Sequence, residues 1–282
     1  TPFTAAREHS PKKESYQTYM APEPENFRGI HAVRVLTGKS NFTLDKLIEI
    51  AYDPYLPAFE KLIPGLIQAY DKHSKTNSQL KGAIDTLRHW DMKVSLNAVA
   101  MTLAHYYITQ YLSDGKYPEG MSFIDRVNYF GTESPIEERL DIFEKTITKL
   151  NEDFGSWNIP WSEVNRLQRL DGSIKQTFDD NKPSLPVPMA SGNWGALASF
   201  GSRGVSGVKK IYGTYGNSFV AVVSFGEKVS AKTLLAGGQS SDPSSPHFFD
   251  QGQRYADGLF KEVAFYREDV DLRSKRKYHP GK

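Results

Sequence analysis

Gly237-Gly238-Gln239-Ser240-Ser241-Asp242-Pro243-Ser244-Ser245-Pro246-His247-Phe248-Phe249-Asp250-Gln251 is the stretch on which the reading of this chain turns. It holds too much Gly, Pro and Ser for regular structure, yet an apolar strand-like segment precedes it and an aromatic one follows. Glycines give it backbone freedom and prolines stiffen it. Gln239, His247, Asp250 and Gln251 can hydrogen-bond main-chain groups that a loop lying on a core would leave unpaired. The residues alone therefore predict a packed structural loop braced by those four side chains. Ser244, Ser245, His247 and Asp250 are the residue types of a hydrolytic triad, but residues so close together on a proline-rich loop rarely reach triad geometry.

Upstream of this loop, residues 210–215, 218–225 and 229–235 read as strands, with Gly216-Asn217 and Gly226-Glu227-Lys228 as the turns between them. Phe219, Ala221, Val223 and Phe225 alternate with Val220 and Val222. Both faces of that strand are apolar, which predicts a sheet covered on both sides. Before residue 156 the period is helical. Ile30, Val33, Val35 and Leu36 predict a short buried helix over 27–36, and Thr43 is a candidate N-cap for the next. Phe59, Leu62, Ile63, Leu66, Ile67 and Tyr70 fall on one helical face, with Pro64 predicted to kink or restart that helix. Residues 84–112 are apolar around much of a helical circumference, as a central buried helix would be. Ser134-Pro135-Ile136-Glu137 combines a serine cap, proline at the first helical position and a glutamate, predicting a helix to about residue 150.

The expected organisation is an extended arm over 1–26, a helical part over 27–155 and a β-rich part over 156–282, an α+β chain. Its 282 residues, 39% of them hydrophobic, can bury a real core and suit one large domain or two small ones of roughly 100–200 residues. Lysine and arginine total 35 against 33 acidic residues, so a net charge of +2 supplies no drive toward nucleic acid or an anionic membrane. The basic cluster from Arg273 to Lys277 reads as a solvated end. With no cysteine there are no disulfides, thiolate metal sites or thiol nucleophiles. No stretch approaches the roughly 18–20 apolar residues of a membrane span. The histidines show no metal-site spacing, so neither a metal nor any other cofactor is expected from the residues.

Several segments, taken in order, resemble the penicillin acylase (penicillin amidase) family of N-terminal-nucleophile hydrolases. Thr1-Pro2-Phe3-Thr4-Ala5-Ala6 resembles the segment after that family's oxyanion-hole asparagine. The run from Glu25 through Asn26, Phe27, Arg28 and Gly29 to Leu36 resembles its arginine-bearing helix. Leu87-Arg88-His89-Trp90-Asp91 is similar to its Leu-x-x-Trp-Asp stretch, residues 213–225 to its Gly-Asn-Ser strand, and residues 237–251 to its closing signature. The resemblance implies the C-terminal part of a β chain and a partial αββα Ntn-hydrolase architecture, helical in its first half and β-rich in its second. It implies a hydrolase of linear amides whose N-terminal serine attacks the carbonyl with its own amino group as base, while N–H donors hold the oxyanion.

By the same resemblance the nucleophile and the oxyanion asparagine lie outside this chain, which alone should be inactive. Arg28 is the residue carried over as a support of the active centre by fixed, charge-assisted hydrogen bonds. Gly192-Asn193-Trp194-Gly195 matches a loop near the family's sheet rim, making Asn193 and Trp194 candidate substrate-facing residues. The implied partners are the missing N-terminal part of the β chain, the α chain and a small acylated amine. Self-association through apolar surface left by a truncated core is a further expectation. The implied compartment is periplasmic or secreted. Calcium occurs in the family, but no acidic cluster here matches a ligand motif. Thr1 is not read as a nucleophile, because Pro2 constrains its backbone and no strand pattern follows it. The alternative expectation is a non-catalytic binding or scaffold module derived from the acylase fold.

Overall fold

A computed structural model describes residues 7–20, 24–73 and 78–279. The chain is α+β, with helices through its first half and two small sheets in its second. Thr1, Pro2 and Pro22 of the expected arm lie outside the described residues. The described part of the arm is largely exposed and makes only short 3-10 turns at Arg7–His9 and Lys13–Ser15.

The first helix, α1 (Phe27–Leu36), starts where Asn26 Oδ1 accepts the Gly29 amide at 2.8 Å. In α2 (Leu44–Ala51) the Thr43 hydroxyl accepts the Lys46 amide at 3.2 Å, the predicted cap. Helix α3 (Phe59–His73) runs unbroken through Pro64. The expected restart does not occur, because Leu62, Ile63 and Leu66 on either side are at most 1% exposed, and their packing outweighs one missing backbone bond.

The apolar run over 84–112 is not one helix. It divides into α4 (Lys81–Arg88) and α5 (Val99–Asp114). The connection pairs with the chain before α3 instead, the Leu56 amide donating to Met92 O and the Val94 amide to Pro54 O, both at 3.0 Å. Asp91 Oδ1 turns the backbone by accepting the Lys93 amide, and Met92 sits at φ 59°. Helix α6 (Phe123–Thr132) is capped by Ser122, whose hydroxyl accepts the Asp125 amide at 3.2 Å. In α7 (Ile136–Phe154) Ser134 does not cap as predicted. Its hydroxyl donates to Phe130 O of α6 and accepts from the buried guanidinium of Arg139 near the start of α7, so it ties the two helices together without capping a main-chain amide of α7. Gly155, left-handed at φ 78°, closes α7.

Helix α5 is central: Met101, Leu103, Ala104, Tyr107, Ile108 and Tyr111 are fully buried, and the helix packs on α4 and α7, with Tyr107 and Tyr111 against Phe130 of α6. The Tyr111 and Phe130 rings stack with centroids 3.6 Å apart.

The short α8 (Trp161–Val164) leads into the first sheet, formed by β1 (Asn165–Leu167), β2 (Leu185–Pro186), β3 (Phe200–Gly204) and β4 (Ile211–Gly216) in the order β2-β1-β4-β3. Asn165, fully buried in β1, fixes this sheet to the loop beyond β2 by donating to Val187 O at 2.8 Å and Met189 O at 3.0 Å. The second sheet has the order β5-β6-β7, from β5 (Phe219–Ser224), β6 (Ser230–Leu235) and β7 (Lys261–Glu262). Helix α9 (Gly252–Ala256) precedes β7 and α10 (Arg267–Arg273) follows it.

Two expectations for this region are corrected. Gly216-Asn217 is not a hairpin turn, since β4 and β5 belong to different sheets. The Asn217 amide donates to Ser199 O at 2.8 Å, which draws the chain back along β3 before it enters β5. The second sheet is also covered on one face only. Helix α2 packs against β5 on the side of Val222, which is 5% exposed, and Lys232 of β6 pairs with Asp45 of α2. On the other face Phe219 and Phe225 are 59% and 84% exposed.

Candidate functional site

Residues 191–199 form the junction between the helical body and the first sheet. Gly192–Trp194 is a single 3-10 turn, started by the Ser191 hydroxyl, which accepts the Asn193 amide, and ended by Gly195 at φ 110°. That φ favours glycine, and a Cβ on Gly195 would stand 2.3 Å from Pro57 Cδ, so the turn lies directly on the chain entering α3. The Ala58 amide donates to Trp194 O at 3.2 Å, and His31 of α1, 1% exposed, donates from Nδ1 to Gly195 O at 2.8 Å. His31 Nε2 lies 3.3 Å from Asp53 Oδ1.

Arg28 holds the far end of the same segment. Its Nε and Nη2 donate to Leu197 O at 3.1 and 2.7 Å, and Nη2 reaches Asn217 Oδ1 at 3.3 Å. Asn217 is the hub of this network. Its Oδ1 also accepts the Ser199 amide at 2.8 Å, its own amide donates to Ser199 O, and its carbonyl accepts the Tyr255 hydroxyl of α9 at 2.8 Å. The Ser199 hydroxyl in turn accepts the Gly192 amide at 2.8 Å. A Cβ on Gly192 would come within 3.2 Å of Arg28 Cδ, so the arginine stem lies against the turn that carries Asn193.

On the other side of the 191–199 segment is a cleft of about 690 Å³ between α5, α7 and the β3–β4 hairpin. Asn193, exposed, and Trp194, 4% exposed, both line it. Trp194 is mainly a core side chain, with Phe59, His105 and Phe123 rings 5.9 to 6.1 Å from its own. Its indole N–H donates to His105 Nδ1 at 3.2 Å, which places the ring proton of neutral His105 on Nε2, as a donor. Arg28 does not line this cleft. It borders a shallow apolar groove with Leu36, Leu47 and Leu197, so its reach to the cleft is indirect, through the segment it holds.

Burial holds His105 neutral, pushing its pKa down to about 4. Since the unfolded imidazole titrates near 6.5, the unfolded chain binds more protons between those values, and stability must fall as pH drops from about 6.5 through about 4. The expected loss is up to about 3 kcal/mol, read from urea unfolding at pH 7 and pH 4. His105→Asn, which keeps an acceptor for Trp194 but cannot titrate, should flatten that slope.

The loop over 237–251 lies apart from this network and is braced differently from the sequence expectation. His247 and Asp250 pair with each other at 2.9 Å, Gln251 Oε1 accepts from Lys261, and Gln239 is exposed. The main-chain brace is Arg169, which donates to Phe248 O at 2.6 Å and stacks its guanidinium over the Phe248 ring. Ser244 donates to Asp242 rather than meeting His247, so the triad types stay in separate pairs. In the cleft, Ser191 Oγ meets the Tyr215 hydroxyl and Ser202 donates to Asn165 Oδ1. What the site offers is a set of fixed donors around an apolar floor: an arrangement for binding and orienting.

A model of the penicillin amidase family matches residues 3–272. The chain belongs to the penicillin amidase family. Membership brings the amide-splitting hydrolase and acylase character of that family, and it covers both the Arg28 network and the cleft. Among the described residues of this penicillin amidase family chain, no three His, Cys, Asp or Glu side chains gather to hold a metal ion. No described helix is long and apolar enough to cross a membrane. Sequence reasoning missed Asn217, His31, His105 and Arg169 as site or bracing residues. The Gly-Asn-Ser match at 216–218 was the available signal for Asn217.

Proposed function

We propose that this chain is the C-terminal part of a penicillin-amidase-family acylase that hydrolyses linear amides of acylated amines, with the serine nucleophile supplied by residues outside it. The observation that carries this reading is the family match over residues 3–272. In this reading Arg28 is a positioning residue. It fixes Leu197 and Asn217, and through them the turn bearing Asn193, without touching substrate. Bidentate donation from a planar guanidinium suits that task better than a lysine would. The partners are the α chain and the remainder of the β chain, and the compartment is periplasmic or secreted.

Amine release from phenylacetyl and long-chain acyl p-nitroanilides, followed by absorbance, tests the reading. The full gene product should turn over and should show, by mass spectrometry, a chain beginning with serine. This chain alone should release nothing above buffer. Turnover by this chain that disappears in Thr1→Ala would overturn the placement of the nucleophile. A full gene product that neither processes nor hydrolyses would favour the non-catalytic module.

A further inference from the structure

The cleft between α5, α7 and the β3–β4 hairpin has a charge pattern that the amide-hydrolysis reading does not use. Tyr106, Leu112, Trp194, Val205, Val208 and Ile211 give it an apolar body. The charged side chains on its wall are Lys149, Arg203 and Lys209 against the single carboxylate of Asp153. Asp153 is already engaged by Lys149 at 2.8 Å. Arg203 stacks over the Tyr215 ring at 5.1 Å, and among the described residues neither it nor Lys209 has a carboxylate within ion-pair distance. The nearby Asp180 is bound by the Tyr212 hydroxyl and by the Lys209 main-chain amide, not by the lysine head.

Two cations without counter-charge, both exposed on one hairpin, therefore face an apolar hollow of the size that small ligands occupy, roughly 300–1,000 Å³. A neutral amide would leave that charge unanswered. An anion without an apolar part would leave the floor wet. The geometry points to an amphiphilic carboxylate as the ligand of this cleft, its carboxylate between Arg203 and Lys209 and its hydrocarbon or aryl part over Val208 and Ile211. Arg203 offers a planar fork that matches a carboxylate in two-point fashion, and Lys209 adds a point charge. Asn193 and the Nε2–H of His105 supply further donors on the same wall. Such a ligand could be the acid freed by amide hydrolysis or an acid group carried by the substrate itself. The binding, however, stands independently of any turnover.

Calorimetric titration of this chain with sodium decanoate, sodium phenylacetate and their uncharged amides tests the assignment. Each carboxylate should bind at least about 10-fold more tightly than its amide, and the difference should shrink as salt screens the two cations. Decanoate should also bind more tightly than sodium acetate titrated in parallel, reporting the apolar part. The double variant Arg203→Ala/Lys209→Ala should lose at least about 10-fold for decanoate while leaving decanamide unchanged. Both residues are exposed, so an unchanged urea midpoint will show that the fold survives. Equal affinity for acid and amide, an unaffected double variant, or no saturable binding would each overturn the assignment. None of these outcomes depends on whether the full gene product hydrolyses amides.

Discussion

Replacing Arg28 with leucine should lower amide hydrolysis by the full gene product by up to about 30-fold while lowering its melting temperature by only a few degrees. The guanidinium makes two donations to Leu197 O and one to Asn217 Oδ1, all on an exposed side chain. A hydrogen bond of this kind contributes about 1 kcal/mol net, and losing the two shorter ones weakens the hold on the 191–199 segment by about 2 kcal/mol, or about 30-fold. The Ser199 to Asn217 bonds persist, so the segment loosens rather than unfolds. Arg28→Lys should recover only part of the loss, because a single ammonium cannot span Leu197 O and Asn217 Oδ1 in the same plane. Steady-state kinetics with p-nitroanilide release will read the effect mainly in kcat, since Arg28 lies behind the cleft rather than in it. Unchanged kcat in the leucine variant would remove Arg28 from the working parts of the site.

The elements that sequence reasoning reached are those whose signals are local. Asn26 and Thr43 announce α1 and α2 because a cap acts on amides three residues away. The strands β4, β5 and β6 were legible from β-forming runs between glycine-rich breaks. Periodicity failed at residues 84–112, where the apolar pattern continues but main-chain bonds to Pro54 and Leu56 claim residues 92–94 for a different partner. The cap expected at Ser134 failed for a local reason: its hydroxyl is taken by Phe130 O and the Arg139 guanidinium, and no main-chain amide of α7 donates to it.

The candidate site was legible only through its members, not its wiring. Arg28 reaches Leu197 across 169 positions, and Arg169 reaches Phe248 across 79. No spacing rule links residues so far apart, and the chain carries no local mark that Asn217 serves three elements at once. His105 illustrates the same limit. One histidine in an apolar helix reads as core, and only the position of the Trp194 indole reveals which ring nitrogen carries the proton.

The largest stability effect is expected from Gly65→Ala, and its sign is what makes it decisive. At an open position inside a helix, alanine in place of glycine adds about 1 kcal/mol of stability. Gly65 is not open. A Cβ there would lie 1.7 Å from the carbonyl oxygen of Gly131, and a Cβ on Gly131 would lie 2.7 Å from Lys61 O. Helices α3 and α6 thus cross backbone to backbone, and no side-chain rotation can relieve the clash. The helices must part, opening the layer formed by Leu62, Leu66, Val127 and Phe130, each fully buried. Separation also lengthens the bond from the buried Arg139 to Gly65 O. Overpacking of this severity costs about 3 kcal/mol or more, a large share of the roughly 5–15 kcal/mol that holds a domain together. Urea unfolding should show a lower midpoint at constant slope. The displacement reaches the site, because Phe123 of α6 rests against Trp194 with ring centroids 6.1 Å apart, so the variant should also disturb the turn that carries Asn193. An alanine variant as stable as the parent would mean that α3 and α6 do not meet at these glycines, and the helical body would need a different crossing.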